Sequence, residues 1–305
     1  MTDAVIAAAR DYWGLGEAPI TLIAARENRV YRVDRTCGPA ALRLHRPGYR
    51  NQAELQSELE WMAMLAGHGM HVPAPIAAHD GSYLLETEAT SVDLLTWLDG
   101  APLSSVPATQ TLYHDLGRLT AQMQNHADAW QPPADFTRPT WDLVGEDPTW
   151  GRFWENPELD ARERTLLASF RDRARVQTAA LQTEGIGLIH ADLVPDNVLI
   201  SGGQLSPIDF DDGGFGHRLF DVATITHRSR RTDPSGGLAD AVIKGYGSLR
   251  PLDPATLALF EALRACSYVG WNMSRLAETG AMDRNARFIS EAVSSIGRYL
   301  GQAQP

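Results

Sequence analysis

The 305-residue sequence has only two cysteines, Cys37 and Cys266. Their spacing suits neither a metal site nor a disulfide framework, which fits a reducing compartment and a cytoplasmic protein. No uncharged apolar stretch reaches eighteen residues, so no membrane-spanning helix is expected. The apolar run that ends at Ala9 is too short and poorly flanked for a signal peptide. Internal repeats and low-complexity tracts are also absent. Basic residues are in deficit: 27 Lys and Arg face 38 Asp and Glu, a formal charge of −11. A chain of that charge is repelled by a phosphate backbone, so neither nucleic acid nor an anionic membrane is expected as a partner. A cationic small molecule would be weakly favoured. What is present is ordinary globular composition, 44% hydrophobic with 8 Trp and 21% charged, enough for one large core or two modest ones.

The most informative stretch runs from Leu188 to Asp221 and reads LIHADLVPDNVLISGGQLSPIDFDDGGFGHRLFD. An apolar run leads into His190, and Asp192 and Asn197 follow two and seven positions later. Asn197 to Ile200 and Leu205 to Ile208 read as a hairpin through the turn from Ser201 to Gln204, where Gly and Ser allow a tight reversal. The second strand delivers Asp209, Asp211 and Asp212 beside the loop carrying Asp192 and Asn197. Three or four oxygen ligands are therefore expected to converge on one point. Phosphoryl transfer needs such a set: a carboxylate aligns the acceptor hydroxyl, and hard oxygen ligands hold magnesium on the phosphates. Asp192 suits the first task, Asn197 and Asp209 the second. An isolated His-x-Asp signifies little, but the ordered set is specific.

The spacing His-x-Asp-x-x-x-x-Asn, followed after a hairpin by Asp-Phe, resembles the catalytic loop and metal-binding element of the protein-kinase-like phosphotransferases. Ala191 stands where a protein kinase carries Arg, and the short span from Asp209 to Asp221 leaves no room for a peptide-docking activation segment. With HADLVPDN, DFDD and GFGHRLFD together, the chain resembles the aminoglycoside phosphotransferase and choline kinase superfamily, nearest the branch of type II homoserine kinases and bacterial stress-response kinases. The resemblance implies an α+β, two-lobed, protein-kinase-like fold, with a small mixed-sheet lobe over residues 1–99 and a larger, mainly helical lobe over 100–305. It implies ATP between the lobes and Mg2+ as cofactors. It also implies that Asp221 supports the catalytic loop through buried hydrogen bonds, that His190 braces it, and that Asp211 helps with a second metal.

Upstream, a short helix is expected over Ala4 to Tyr12, then strands at Thr21–Ala24 and Arg29–Val33. The turn between them, Ala25 to Asn28, lacks a Gly-rich loop. Backbone amides around Asn28 facing phosphates and an ordinary polar hairpin are both open readings there. Ala40 to His45 alternates as a strand, with Ala41, Arg43 and His45 on one face. Arg43 falls where the resembling family has Lys, and a planar, permanently charged fork does not simply replace a point charge. In the next helix Asn51 and Glu54 read as a capping pair, and Leu55, Leu59, Met62 and Leu65 as the buried face. Glu58 projects into that face and needs a partner, for which Arg43 is the natural choice, unless its side chain reaches solvent at the edge. Ser82–Leu85 and Val92–Trp97 complete a small sheet, with a hinge from Trp97 to Pro102. The resemblance places the adenine edge at Thr96 and Leu98.

Beyond the hinge Leu112, Leu116, Leu119 and Met123 form a helical core stripe. Further helices are expected over Glu158–Gln182, from Asp253-Pro254 onward, and over Asn285–Leu300. The Pro- and aromatic-rich segment 127–157 reads as a covering loop that either caps the acceptor pocket with Trp141, Trp150 or Trp154 or simply buries them. The function expected is ATP- and Mg-dependent transfer of the γ-phosphoryl group to a hydroxyl of a small molecule, an amino alcohol, an aminoglycoside or an amino-acid-like acceptor. Two rivals are a protein serine/threonine kinase of the stress-response type and a non-catalytic nucleotide-binding pseudokinase module. Fold resemblance does not choose among acceptors.

Overall fold

The computed structural model describes residues 2–25, 27–181 and 185–302. Arg26, in the first expected turn, and Gln182, at the end of an expected helix, lie outside the described residues. The chain divides into two compact units. The first holds the chain up to Ser105 together with Ala129–Pro139 and Asp196–Asp211; the second holds Val106–Asp128, Thr140–Pro195 and the chain from Asp212.

In the first unit β1 (Ile20–Ala25), β2 (Arg29–Arg35), β3 (Gly38–Leu44), β4 (Leu84–Glu86) and β5 (Ser91–Thr96) form an antiparallel sheet in the order β1-β2-β3-β5-β4. Strand alternation sends Tyr31, Val33, Ala40, Leu42, Leu44, Val92 and Leu94 to one face. There they pack with Val5, Ala9 and Trp13 of helix α1 (Thr2–Trp13). Arg43 and Asp93, paired across β3 and β5, therefore point to the opposite face. Helix α2 (Gln52–Gly67) begins at the expected capping box: Asn51 Oδ1 accepts from the Glu54 N–H at 2.9 Å, and Glu54 Oε2 from the Asn51 N–H at 3.0 Å. Leu55, Leu59, Met62 and Leu65 are buried as expected, and Trp61 is buried beside them, edge-on to Phe210 at 5.1 Å. The short strand β6 (Ala101–Pro102) pairs with the hairpin β8 (Val198–Ser201) and β9 (Gln204–Pro207). Ser201 pairs with Gln204, so the turn is Gly202-Gly203, at φ of 56° and 85°. Positive φ at both central residues matches the twist of a two-residue hairpin.

The second unit is mainly helical: α3 (Gln110–Ala129), α4 (Ala161–Ala180), α5 (Leu219–Thr232), α6 (Gly237–Gly247), α7 (Pro254–Met273) and α8 (Ala281–Gln302). Within it β7 (Ile186–Ile189) pairs antiparallel with β10 (Gly214–His217). Helix α7 packs against α5 and α8. No helix among the described residues is long and apolar enough to cross a membrane.

Several expected boundaries move. Helix α4 starts at Ala161 rather than Glu158, because Asp160 and Glu163 form a second capping box. Strand β4 starts at Leu84, since Ser82 is held in a turn by Asp80. Helix α8 starts four residues before Asn285. The buried face of α3 is rotated: Tyr113, Leu116, Thr120, Met123 and Gln124 are buried, while Leu112 and Leu119 are half-buried. Gln124 belongs inside because its amide donates to Asp221 and to the Arg218 carbonyl.

Helices α3 and α6 meet through glycine. A Cβ on Gly117 would run into the Val242 carbonyl, and one on Gly245 into the His114 carbonyl. Gly117→Ala or Gly245→Ala is expected to cost about 1–3 kcal/mol through forced separation. Gly297→Ala, at an exposed α8 position with nothing within 4 Å, should instead stabilise by about 0.5–1 kcal/mol. Urea unfolding of the three variants checks the opposite signs.

Candidate active site

Arg43 and Asp93 are direct cross-strand neighbours, close enough for the side chains to meet. The guanidinium fork closes on Asp93, with Nε 2.9 Å from Oδ1 and Nη2 2.7 Å from Oδ2. Nη1 lies 2.9 Å from Glu58 Oε1, an approach outside hydrogen-bonding angles, so that attraction is Coulombic. His45 Nε2 is 2.8 Å from Asp93 Oδ2. On its other side Glu58 Oε2 faces Arg138 Nη1 at 3.4 Å. Arg43 is 7% exposed, and Glu58 and Asp93 are fully buried. Burial alone would raise both carboxyl pKa values, but the cations win: Arg43 and His45 hold Asp93 at about 2, and Arg43, Arg138 and His45 hold Glu58 below its ordinary value. Arg43 is correspondingly raised well above its ordinary value despite its own burial.

Asp93 and Arg138 are absent from the expected site. Asp93 left a signal, an acid inside the apolar run Val92-Asp93-Leu94-Leu95, where a buried charge demands a partner. Arg138 left none, because it lies in the Pro-rich segment without periodicity. The sequence also contains a single lysine, Lys244, so arginine at position 43 accords with arginine use along the whole chain.

Arg138 fixes the loop that follows β9. Its Nη2 donates to the carbonyls of Phe210 at 3.0 Å and Asp211 at 2.9 Å, and its Nη1 to the Glu54 carbonyl at 2.8 Å. Asp209 is exposed, at φ 66°. The N–H of Ile208, immediately before it, donates to the Asn197 carbonyl at 2.9 Å, which brings Asn197 alongside. Asn28 Nδ2 donates to Asp211 Oδ2 at 3.1 Å, and Asn28 Oδ1 accepts from the Arg46 N–H at 3.0 Å. Asp211 Oδ1 is buried without a hydrogen-bond partner.

Among the described residues no three His, Cys, Asp or Glu side chains form a group that could hold a metal ion. Asp211 meets Asn28, and Asp192 meets Arg264. Magnesium does not require such a cage, since it keeps waters and takes one or two carboxylates together with phosphate oxygens. Asn197, Asp209 and the unpartnered Asp211 Oδ1 are donors of that hard type.

In the second unit Asp221 is fully buried and holds the turn after β7. Its Oδ2 accepts from the His190 N–H at 3.1 Å and its Oδ1 from the Ala191 N–H at 2.8 Å. Gln124 Nε2 donates to Oδ2 at 3.2 Å, and Tyr246 Oη in turn donates to Gln124 at 2.8 Å. Burial pushes the Asp221 carboxyl up, against the pull of His190 and these donors. His190 is itself fully buried. Ala191 has φ 66°, a strained conformation for a residue with a Cβ, costing about 1–3 kcal/mol. Asp192 Oδ1 accepts from Arg264 Nη2 at 2.7 Å, and its side chain is 27% exposed. Arg264, on α7, was not foreseen; its signal is a charge within an otherwise apolar helical stripe.

Thr96 ends β5, with its N–H donating to the Ala74 carbonyl and its Oγ1 accepting from the Ala74 N–H. Leu98 is half-buried two residues beyond the strand. The long aromatic segment divides. Trp141 and Trp150 pack against one another at 4.9 Å, with Trp150 beneath Arg264, and Trp154 is buried beneath Arg171.

Residues 19–260 match the profile of a family described as the phosphotransferase enzyme family. A homoserine kinase of Neisseria meningitidis serogroup B is 30% identical over 237 residues, 74% of this chain and 73% of that protein. A solved structure of a microcompartment-associated aminopropanol kinase matches with TM-score 0.82 and 29% identity, covering 98% of each chain. Amicoumacin kinase hAmiN, solved with AMP-PNP, Ca2+ and Ami, matches with TM-score 0.79 and 20% identity over 95% of this chain and 92% of that one. The fold is thus the protein-kinase-like one that the sequence suggested, a small N-terminal sheet followed by a mainly helical part.

Because Asp93 has a folded pKa of about 2 against an ordinary 3.8, its contribution is complete above about pH 4–5 and is lost as pH falls toward 2. The difference corresponds to roughly 2 kcal/mol. Urea unfolding across this window should show stability rising with pH, and Asp93→Asn should remove much of that rise. The variant should also lose about 3–5 kcal/mol at neutral pH, because Arg43 loses its closest counter-charge.

Proposed function

Because the chain belongs to the phosphotransferase enzyme family and is a kinase acting on a hydroxyl group, we propose that it moves the γ-phosphoryl group of ATP to a hydroxyl of a small amine-bearing molecule. Amino alcohols and amino-acid-like compounds are the acceptors favoured by its relatives, an aminopropanol kinase and a homoserine kinase. The observation that carries the reading is Asp192. It is a partly exposed carboxylate on a backbone locked by Asp221, as a group that must meet an acceptor hydroxyl requires.

In this reading Asp192 aligns the hydroxyl and takes its proton as the oxygen attacks the γ-phosphorus and ADP leaves. Asn197 and Asp209, with Asp211, would hold Mg2+, which would supply charge neutralisation on the phosphates when bound. Thr96 and Leu98 border the adenine, and Asn28 lies toward the phosphates. Arg43, held by Asp93 and Glu58, supplies positive field to the nucleotide more than a fork of its own. His190 and Asp221 brace the loop. A protein acceptor is disfavoured because the span after Asp209 is taken up by β10, which pairs with β7, and by the start of α5. The intact acids disfavour a non-catalytic module.

Magnesium-dependent ADP release from ATP, measured across amino alcohols, homoserine, aminoglycosides and a generic protein substrate, tests the proposal. A small-molecule acceptor should stimulate release, and Asp192→Ala should cut that rate by about 100-fold or more while binding AMP-PNP as the parent does. Phosphate entering protein only would favour the stress-response kinase reading. Undiminished turnover in Asp192→Ala would remove Asp192 from the chemistry.

A further inference from the structure

Ala191 occupies the position where a protein-kinase loop carries arginine, yet a guanidinium reaches this same peptide from helix α7. Arg264 is fully buried. Its Nη1 donates to the Ala191 carbonyl at 3.3 Å, and its Nη2 donates to Asp192 Oδ1 and to Tyr268 Oη, each at 2.7 Å. The guanidinium carbon lies 4.3 Å from the Tyr268 ring centre, 4.5 Å from that of Trp150 and 5.4 Å from that of Phe220. Aromatic faces of this kind stabilise and orient a desolvated cation. They leave the guanidinium little freedom except in the plane that meets Asp192.

Two features separate this arrangement from packing. A buried cation is unfavourable without a counter-charge, and a hydrophobic residue of similar volume generally fills such a place at least as well. The carboxylate that Arg264 engages is also a partly exposed one. The same guanidinium holds the carbonyl of Ala191, whose N–H is held by Asp221. The left-handed peptide is thereby gripped at both ends, by a carboxylate from α5 and a guanidinium from α7.

We propose that Arg264 is the positioning residue of Asp192, fixing the carboxylate through Oδ1 while it clamps the Ala191 peptide that carries it. This rests on Asp192 being the residue that meets the acceptor hydroxyl. Held in this way, the carboxylate works chiefly by aligning the hydroxyl. Alignment suits a loose phosphoryl-transfer transition state, in which the hydroxyl proton is lost late. Tyr268 stands beside the pair, with Arg228 acting on it electrostatically and the His227 ring 5.8 Å from its own.

The test is carboxyl-carbon NMR of protein labelled with 13C at aspartate, the Asp192 signal being identified by its loss in Asp192→Asn. In Arg264→Met the Asp192 carboxyl-carbon signal at neutral pH should move from its place in the parent, and in Arg264→Lys, which keeps the charge, by clearly less. Should Arg264→Met not fold, Arg264→Gln keeps a donor without the charge and gives the same readout. With an acceptor that supports turnover, kcat of Arg264→Met should fall on the order of 100-fold, with the KM for ATP unchanged. A purely structural role would lower the melting temperature and leave the Asp192 signal and the kcat of the folded variant where they were, which overturns the proposal. Full turnover in Asp192→Ala would instead overturn the role given to Asp192, an outcome distinguishable from an unmoved signal.

Discussion

Glu58 is fully buried, and a carboxylate so placed is tolerable because Arg43 and Arg138 share it. The sharing ties three parts of the first unit together. Arg43 comes from β3 and is gripped from the other side by Asp93 of β5. Glu58 comes from α2. Arg138 comes from the Pro-rich segment and extends the chain of charges to the carbonyls of Phe210 and Asp211, so the loop carrying Asp209 is set by the same network that holds the β3 cation. Loss of any one member leaves a buried charge uncompensated, which gives the unit a strong preference for this one arrangement.

The second unit uses a comparable device on its own loop. Asp221 takes two successive backbone N–H groups, and Arg264 takes the carbonyl that follows them. Among the described residues the non-glycine positions with positive φ are Ala191 and Asp209, one in each of these loops. Strained backbone persists where its surroundings over-determine it, and it gathers at functional sites. Here the surroundings are buried ion pairs and charge-assisted hydrogen bonds, which are directional enough to hold a peptide in a sparsely populated conformation.

What could be read in the sequence was local. The capping box at Asn51 and Glu54, the Gly202-Gly203 turn and the inward projection of Glu58 each depend on residues within one or two turns of chain. Their periodicity or spacing carries the information. The motif from His190 to Asp209 was legible for the same reason. Asp93, Arg138 and Arg264 were not, because they meet Arg43, Glu58 and Asp192 across 50, 80 and 72 residues of sequence. Asp93 came nearest, as an acid in an apolar strand. The face of α3 was misread because Gln124 looks like a surface residue until Asp221 is placed beside it. Strand β10 was missed because two of its four residues are glycine, which weakens any strand signal.

Phosphorus-31 NMR of the purified protein with ATP, magnesium and either 1-amino-2-propanol or homoserine tests the central claim most directly, since it observes the bond that is made. The account predicts that the γ-phosphate signal of ATP is replaced by equal amounts of ADP and a phosphomonoester whose signal is split by the protons on the acceptor carbon. Appearance of inorganic phosphate in its place, or of phosphate retained on protein, would contradict it.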